Sequence, residues 1–90
     1  MHEMTLLAGM MKQIGTIAKE QNAKRVTTVR VALGALSHIT PDHFREHFEH
    51  AALNTVADGA TLEVEQLTDM NDPNAQEIIL KSIDVEDNDT

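Results

Sequence analysis

The sequence predicts an α+β fold, in which two helices pack on one face of a mixed three-stranded sheet, in the order helix, strand, helix, strand, strand. Two stretches space their apolar residues three and four positions apart, and three others are rich in β-branched residues or alternate. One strand-helix-strand connection favours a parallel pair. The short loop at residues 68–77 favours an antiparallel hairpin between the last two strands.

Length and composition limit what the chain can be. Its 90 residues predict one domain, residues 1–90, whose core is built mainly from aliphatic side chains because only two phenylalanines are present. The absence of cysteine excludes disulfides, thiolate zinc sites and Cys nucleophiles. A net charge of -8 argues against nucleic acid and anionic membranes as partners. Because no signal peptide or membrane-spanning stretch is recognisable, we expect a cytoplasmic protein.

The first predicted helix runs from Glu3 to about Gln21. Gly9 and Gly15 lie inside it, and each costs about 1 kcal/mol relative to Ala in a helix interior. The helix should therefore depend on tertiary packing of its apolar side. That side consists of Leu7, Met10, Met11, Ile14, Ile17 and Ala18, with the two methionines interpreted as core filler rather than thioether metal ligands.

The first predicted strand covers residues 26–33, and Gly34 ends it. Lys24 and Arg25 are assigned to the turn that precedes it. Alternation predicts which side chains of this strand face the core. They are Val29, Val31 and Leu33, with Thr28 and Arg30 facing outward.

The second predicted helix has the clearest local signals in the chain. Thr40 is a typical N-cap, and Pro41 and Asp42 suit the first turn. Ile39 and Phe44 are spaced as a hydrophobic staple. The helix should end near residues 58–59 and bury one stripe, consisting of Phe44, Phe48, Ala51, Ala52 and Thr55.

Two further strands are predicted at residues 61–67 and 78–85. In the second strand Leu62 and Val64 should face the core, with Thr61, Glu63 and Glu65 outward. Alternation in the third strand breaks around Lys81 and Ser82, which requires either a bulge or a segment covered on both faces. Residues 86–90 form a polar tail that is expected to fray.

Residues Met1, His2 and Glu3 form a candidate metal site. An α-amine, two following backbone amides and an imidazole at the second position can enclose an ion in fused chelate rings. Near-planar nitrogen coordination suits Ni(II) or Cu(II) and fits zinc poorly. The alternative is that His2 is incidental.

Histidines on the second helix are the other candidate ligands. His43, His47 and His50 are spaced at i, i+4 and i+7, so the first two could chelate a divalent ion. With Glu46 and Glu49 beside them they equally form a solvated face, which is the interpretation we favour. The spacing lacks the Glu and third ligand of a metalloprotease. The sequence contains no nucleophile placed beside a base and no phosphate-binding loop. Nothing in these motifs therefore indicates an enzyme.

Several short segments together resemble the HypA/HybF family of nickel metallochaperones, which act in nickel-iron hydrogenase maturation. The resemblance covers nearly the whole chain. It rests on Met-His-Glu-Met at 1–4, Ala-Lys-Arg-Val at 23–26, Val-Arg-Val at 29–31, Leu-Gly-Ala-Leu-Ser at 33–37, Phe44, Phe48, Gly-Ala at 59–60, Leu-Glu-Val-Glu at 62–65 and Lys-Ser-Ile-Asp-Val-Glu at 81–86.

This resemblance implies a function and partners. Ni(II) would be held by the Met1 amine, the His2 amide and imidazole, and the Glu3 amide. The partners would be a HypB-type GTPase and a hydrogenase large subunit, and no catalysis is required. The alternative is a metal-independent acidic interaction module that docks a partner or forms a homodimer through a sheet edge.

The chain also departs from the family pattern. Family members carry a zinc domain with two Cys-x-x-Cys pairs between the second and third strands, and here residues 68–77 occupy that place. Without cysteine a tetrathiolate zinc site cannot form, so no zinc is expected. The chain would be a naturally shortened member or an engineered deletion of the zinc domain.

Overall fold

The computed structural model describes the backbone of residues 3–87 and the side chains of residues 5–87. Two helices and three strands follow one another in the predicted order. Both helices supply buried side chains to a single core on the sheet, so the predicted α+β fold class is confirmed. The elements are α1 (Glu3–Glu20), β1 (Ala23–Leu33), α2 (Pro41–Ala52), β2 (Thr61–Gln66) and β3 (Ile78–Asp87).

The sheet has the order β2-β1-β3, so the predicted hairpin between the last two strands is wrong. Strand β1 pairs parallel with β2, where Val29 lies opposite Leu62, and antiparallel with β3, where Val29 lies opposite Ile83. A strand that is paired on both sides has its backbone groups satisfied, and β1 is the strand with the most buried side chains. β1 is therefore the central strand, and β2 and β3 lie on either side of it.

The connection from β2 to β3 crosses the end of β1 and is hydrogen-bonded to it. Leu67 N donates to Leu33 O at 2.9 Å, and Gly34 N donates to Glu77 O at 2.9 Å. A Cβ on Gly34 would overlap the carbonyl of Ala75, so glycine permits this close approach. These contacts between distant parts of the chain explain why loop length alone predicted the wrong neighbour.

Strand β1 begins earlier than predicted, because Lys24 and Arg25 lie in the strand and not in the turn. Asn22, with φ 52°, makes the tight reversal directly after α1. Both cations lie beside Glu86 of β3, at 3.7 Å from Lys24 Nζ and 3.1 Å from Arg25 Nε. Glu86 is therefore paired in the sheet instead of belonging to a frayed tail, and residues 88–90 lie outside the described residues.

The break in alternation in β3 is a β-bulge. Arg30 lies opposite Ser82, and Val31 lies opposite Leu80, which leaves Lys81 as an extra residue on β3. The sequence had left open a bulge or a segment covered on both faces, and the structure contains the bulge.

A second bulge lies in β1 at Thr27, where Val26 pairs with Val85 and Thr28 with Asp84. It explains why Val26 and Val29, three residues apart, are both buried against the helices.

The core forms between the sheet and both helices, as predicted. Neither helix within residues 3–87 is long and apolar enough to cross a membrane. Four side chains that were predicted to be buried are only half-buried, namely Met11, Ile17, Ala51 and Val64. The largest fully buried side chains are Phe44, Phe48, Leu7, Ile14, Leu33, Val26, Val29 and Val31.

Helix α2 starts as predicted and ends earlier. Thr40 Oγ1 accepts a hydrogen bond from His43 N at 3.2 Å, which confirms the N-cap. Leu53 leaves the helix with ψ 130°, and Asn54 takes φ 64°, a left-handed conformation that Asn tolerates. Thr55 is consequently exposed in the following turns and is not part of the buried stripe.

Candidate metal sites

The predicted chelate lies at the start of α1. Met1 and His2 are outside the described residues, and Glu3 is the first residue of the helix. The first amides of a helix have no acceptor within it, so the Glu3 amide is not needed for the helical hydrogen-bond ladder. Using that amide as a metal donor would therefore cost α1 none of its own hydrogen bonds.

A surface cavity lies beside the first turn of α1. Leu6 lines it together with Ser37 and His38 of the loop after β1, and with Glu77 just before β3. His38 has φ 61° and is exposed. The cavity brings an imidazole and a carboxylate to the end of α1 that carries the predicted chelate residues.

Sequence reasoning assigned no role to His38. Its closeness to Leu6 depends on how the loop after β1 folds over the end of the sheet. No local spacing in the sequence signals that contact.

His43 and His47 lie in direct contact on α2. Their Nε2 atoms are 2.8 Å apart, and their ring centroids are 4.5 Å apart with planes tilted by 49°. At that distance one Nε2–H donates to the lone pair of the other ring. The predicted adjacency is confirmed. His43 is exposed and His47 is half-buried, as befits the outer side of a helix whose inner side holds Phe44 and Phe48.

A larger ligand set does not assemble on the part of the chain that the structure describes. Across those residues, no group of three or more His, Asp or Glu side chains is arranged to hold a metal ion. His50 is exposed at the end of α2. On α2, the candidate metal ligands that lie in contact are therefore two imidazoles, those of His43 and His47.

Carboxylates on the outer face of the sheet are engaged by cations. Arg30 contacts both carboxylate oxygens of Asp84, at 2.8 and 3.1 Å, and its Nε lies 3.2 Å from Glu63 Oε1. These hydrogen bonds lower the pKa of the Asp84 carboxyl below its usual value. Lys81 Nζ lies 2.8 Å from Glu65. This face is thus a charge-paired surface, on which Glu63 and Glu65 face outward as the alternation of β2 predicted.

Comparison with known proteins gives a consistent picture. The family model described as "Hydrogenase/urease nickel incorporation, metallochaperone, hypA" matches residues 1–71. The hydrogenase maturation factor HypA of Rhizobium leguminosarum bv. viciae is 39% identical over 67 residues, which are 74% of this chain and 59% of that protein. The HypA of Archaeoglobus fulgidus is 39% identical over 64 residues, 71% of this chain and 58% of that protein. The chain thus spans less than two thirds of the length of these relatives.

Two solved structures share the fold. The solution structure of the Ni metallochaperone HypA from Helicobacter pylori superposes with a TM-score of 0.79 over 97% of this chain and 99% of that one, at 18% identity. A second solution structure of a HypA protein gives a TM-score of 0.72 over 93% and 95%, also at 18% identity. The match of the family model, which includes the first residues of the chain and most of its length, shows that this chain belongs to the HypA family.

Proposed function

We propose that this chain is a metallochaperone that binds Ni(II) at Met1, His2 and Glu3 and delivers it during maturation of a nickel-iron hydrogenase. The observation that carries the proposal is the family match. It begins at residue 1 and therefore includes all three predicted ligand residues.

The donor set suits the ion and the task. One amine, two amides and one imidazole offer four nitrogens to an ion that accepts tetragonal coordination. Nickel is the cargo, so the site must release it, and donors that must lose protons to bind will release metal when protons or a competing ligand arrive. Binding and release need no bond-breaking step on a substrate, so the proposed role is not enzymatic.

We propose that the domain needs no zinc. These 90 residues contain no cysteine, and the connection at residues 68–77 closes on itself through Asx turns. Asp69 Oδ1 accepts from Asn71 N at 2.9 Å, and Asp72 Oδ1 accepts from Asn74 N at 2.8 Å. Treatment with EDTA should leave the far-UV circular dichroism unchanged. Unfolding on EDTA treatment would show instead that a structural metal supports the fold. The absence of a zinc domain at this place stays a prediction.

The proposed partners are a HypB-type GTPase and a hydrogenase large subunit, with the cytoplasm as the place of action. Family membership supports this class of process, and the named relatives are hydrogenase maturation factors. The specific partners and the location stay predictions.

The rival is a metal-independent acidic interaction module that docks a partner or forms a homodimer through a sheet edge. Strands β2 and β3 flank β1, so each is an edge of the described sheet, and an edge strand is a template for pairing with another chain. β3 has ten residues and carries the bulge at Lys81, so it offers a long edge that is not continuous. A dimeric mass by light scattering together with no nickel uptake would favour the rival.

Nickel calorimetry on two matched variants tests the proposal. His2→Gln removes the imidazole and keeps a large second residue, so that the initiator Met is retained as in the wild type. His50→Gln makes the same change at an exposed site on α2. The wild type and His50→Gln should bind a first equivalent of Ni(II) alike, and His2→Gln should lose it. Equal binding by His2→Gln would refute the assignment.

A further inference from the structure

His43 and His47 on α2 are candidate ligands of a metal site separate from the start of the chain. We propose that His43 and His47 bind one divalent cation through their two Nε2 atoms, and that the pair selects a tetragonal ion such as Ni(II) or Cu(II). The inference does not depend on the nickel site at Met1, His2 and Glu3.

The helix holds the two imidazoles in a fixed relation. The Thr40 cap begins α2, and Phe44 and Phe48, only 0% and 1% exposed, fix the rotation of the helix against the core. His43 and His47 are one turn apart and lie on the same side. Binding therefore requires no ordering of a loop, which is a cost that less rigid sites carry.

The distance between the two rings suits two cis ligands of one ion. At metal–nitrogen bonds of roughly 2.0 Å, nitrogens at a right angle lie about 2.8 Å apart and tetrahedral ones about 3.3 Å apart. The observed Nε2–Nε2 distance of 2.8 Å is close to the right-angle value. On binding, the cation takes the place of the proton shared between the rings, which each then carry their proton on Nδ1. Water fills the other positions.

Charge around the pair favours a cation. Glu46, His47 and Glu49 line one surface cavity on α2 together with His50 and Leu53, and Asp42 adjoins His43 in the first turn. Arg45 is the only Lys or Arg of this helix, and its Nη1 donates to Leu62 O at 2.7 Å, which directs its charge to β2. The local field therefore attracts a divalent ion to the two nitrogens.

Nickel calorimetry in the His2→Gln background tests the pair, because that background removes the imidazole of the proposed site at the start of the chain. We expect one weaker equivalent of Ni(II). Adding His47→Gln or His43→Gln should weaken it by at least about tenfold, since a donor that is already held in place is lost. Adding His50→Gln should leave it within about twofold, because His50 is outside the pair. Circular dichroism confirms that each variant keeps α2.

Two results would overturn the inference. One is the absence of any nickel binding in the His2→Gln background. The other is binding that His43→Gln and His47→Gln leave unchanged, or that His50→Gln weakens as much. The His43→Gln variant of the wild type should keep the first equivalent of Ni(II) and lose the second equivalent. That result would separate this pair from the proposed site at Met1, His2 and Glu3.

Discussion

Helices α1 and α2 both adjoin candidate nickel ligands, but they are stabilised in different ways. α2 carries its own start signals, Thr40 and Pro41, and a left-handed Asn54 follows its C-cap Leu53. α1 contains Gly9 and Gly15, which weaken an isolated helix. It is held by its buried side, which consists of Leu7, Met10, Ile14 and Ala18. Thus α2 is specified locally and α1 by tertiary packing.

This difference extends to the two candidate sites. The α2 pair consists of side chains that a capped helix positions, so its geometry can be described atom by atom. The candidate site at the start of α1 consists mainly of backbone nitrogens and depends on the chemical state of the Met1 amine. A substitution in α2 can remove the first, whereas only a change at Met1, His2 or Glu3 can remove the second.

The largest expected effect comes from the core that both helices share. Phe48 is 1% exposed and lies beside Phe44, with ring centroids 6.3 Å apart. Phe48→Ala should lower the free energy of unfolding by about 3–5 kcal/mol, because it removes buried surface and leaves a cavity. Urea denaturation measures it. A loss below about 1 kcal/mol would contradict the burial of Phe48 in the shared core.

A smaller effect is expected at the cap of α2. Thr40→Ala removes the acceptor of the His43 N–H and should cost about 1 kcal/mol in urea denaturation. Thr16→Ala is the matched control in α1, where the hydroxyl only donates to Lys12 O at 3.1 Å, and it should cost nothing. If both variants lost the same stability, α2 would have no special local start.

The smallest effect is a gain of stability in α1. A Cβ on Gly9 meets nothing within 4 Å, so Gly9→Ala should raise the free energy of unfolding by about 0.5–1 kcal/mol. Gly34→Ala is the contrasting control and should destabilise, because its Cβ would overlap the Ala75 carbonyl. A loss of stability in Gly9→Ala would show that this position of α1 needs glycine.

The features that the sequence predicted correctly depend on residues that are close together in the chain. The cap at Thr40, the buried Phe44 and Phe48, and the closeness of His43 to His47 all follow from spacing within one helix. The bulge at Lys81 was one of two interpretations of a local break in alternation.

What the sequence did not predict depends on distant contacts. The position of β1 between β2 and β3 is fixed by pairs such as Val29 with Ile83 and by the hydrogen bond from Leu67 to Leu33. Lys24 and Arg25 were assigned to a turn because the sequence does not show that Glu86 is their partner across the sheet. The cavity at Leu6 and His38 also depends on contacts between distant parts of the chain, so the sequence did not predict it. The site at Met1, His2 and Glu3 stays a prediction.

The most direct test of the central claim compares a form that begins with the free amine of Met1 and a form with one extra residue before Met1. The addition converts the Met1 amine to an amide and leaves every side chain in place. We expect calorimetry with Ni(II) to show a tight first equivalent for the form that begins with Met1 and its loss in the extended form. Equally tight binding by both forms would contradict a nickel site at Met1, His2 and Glu3.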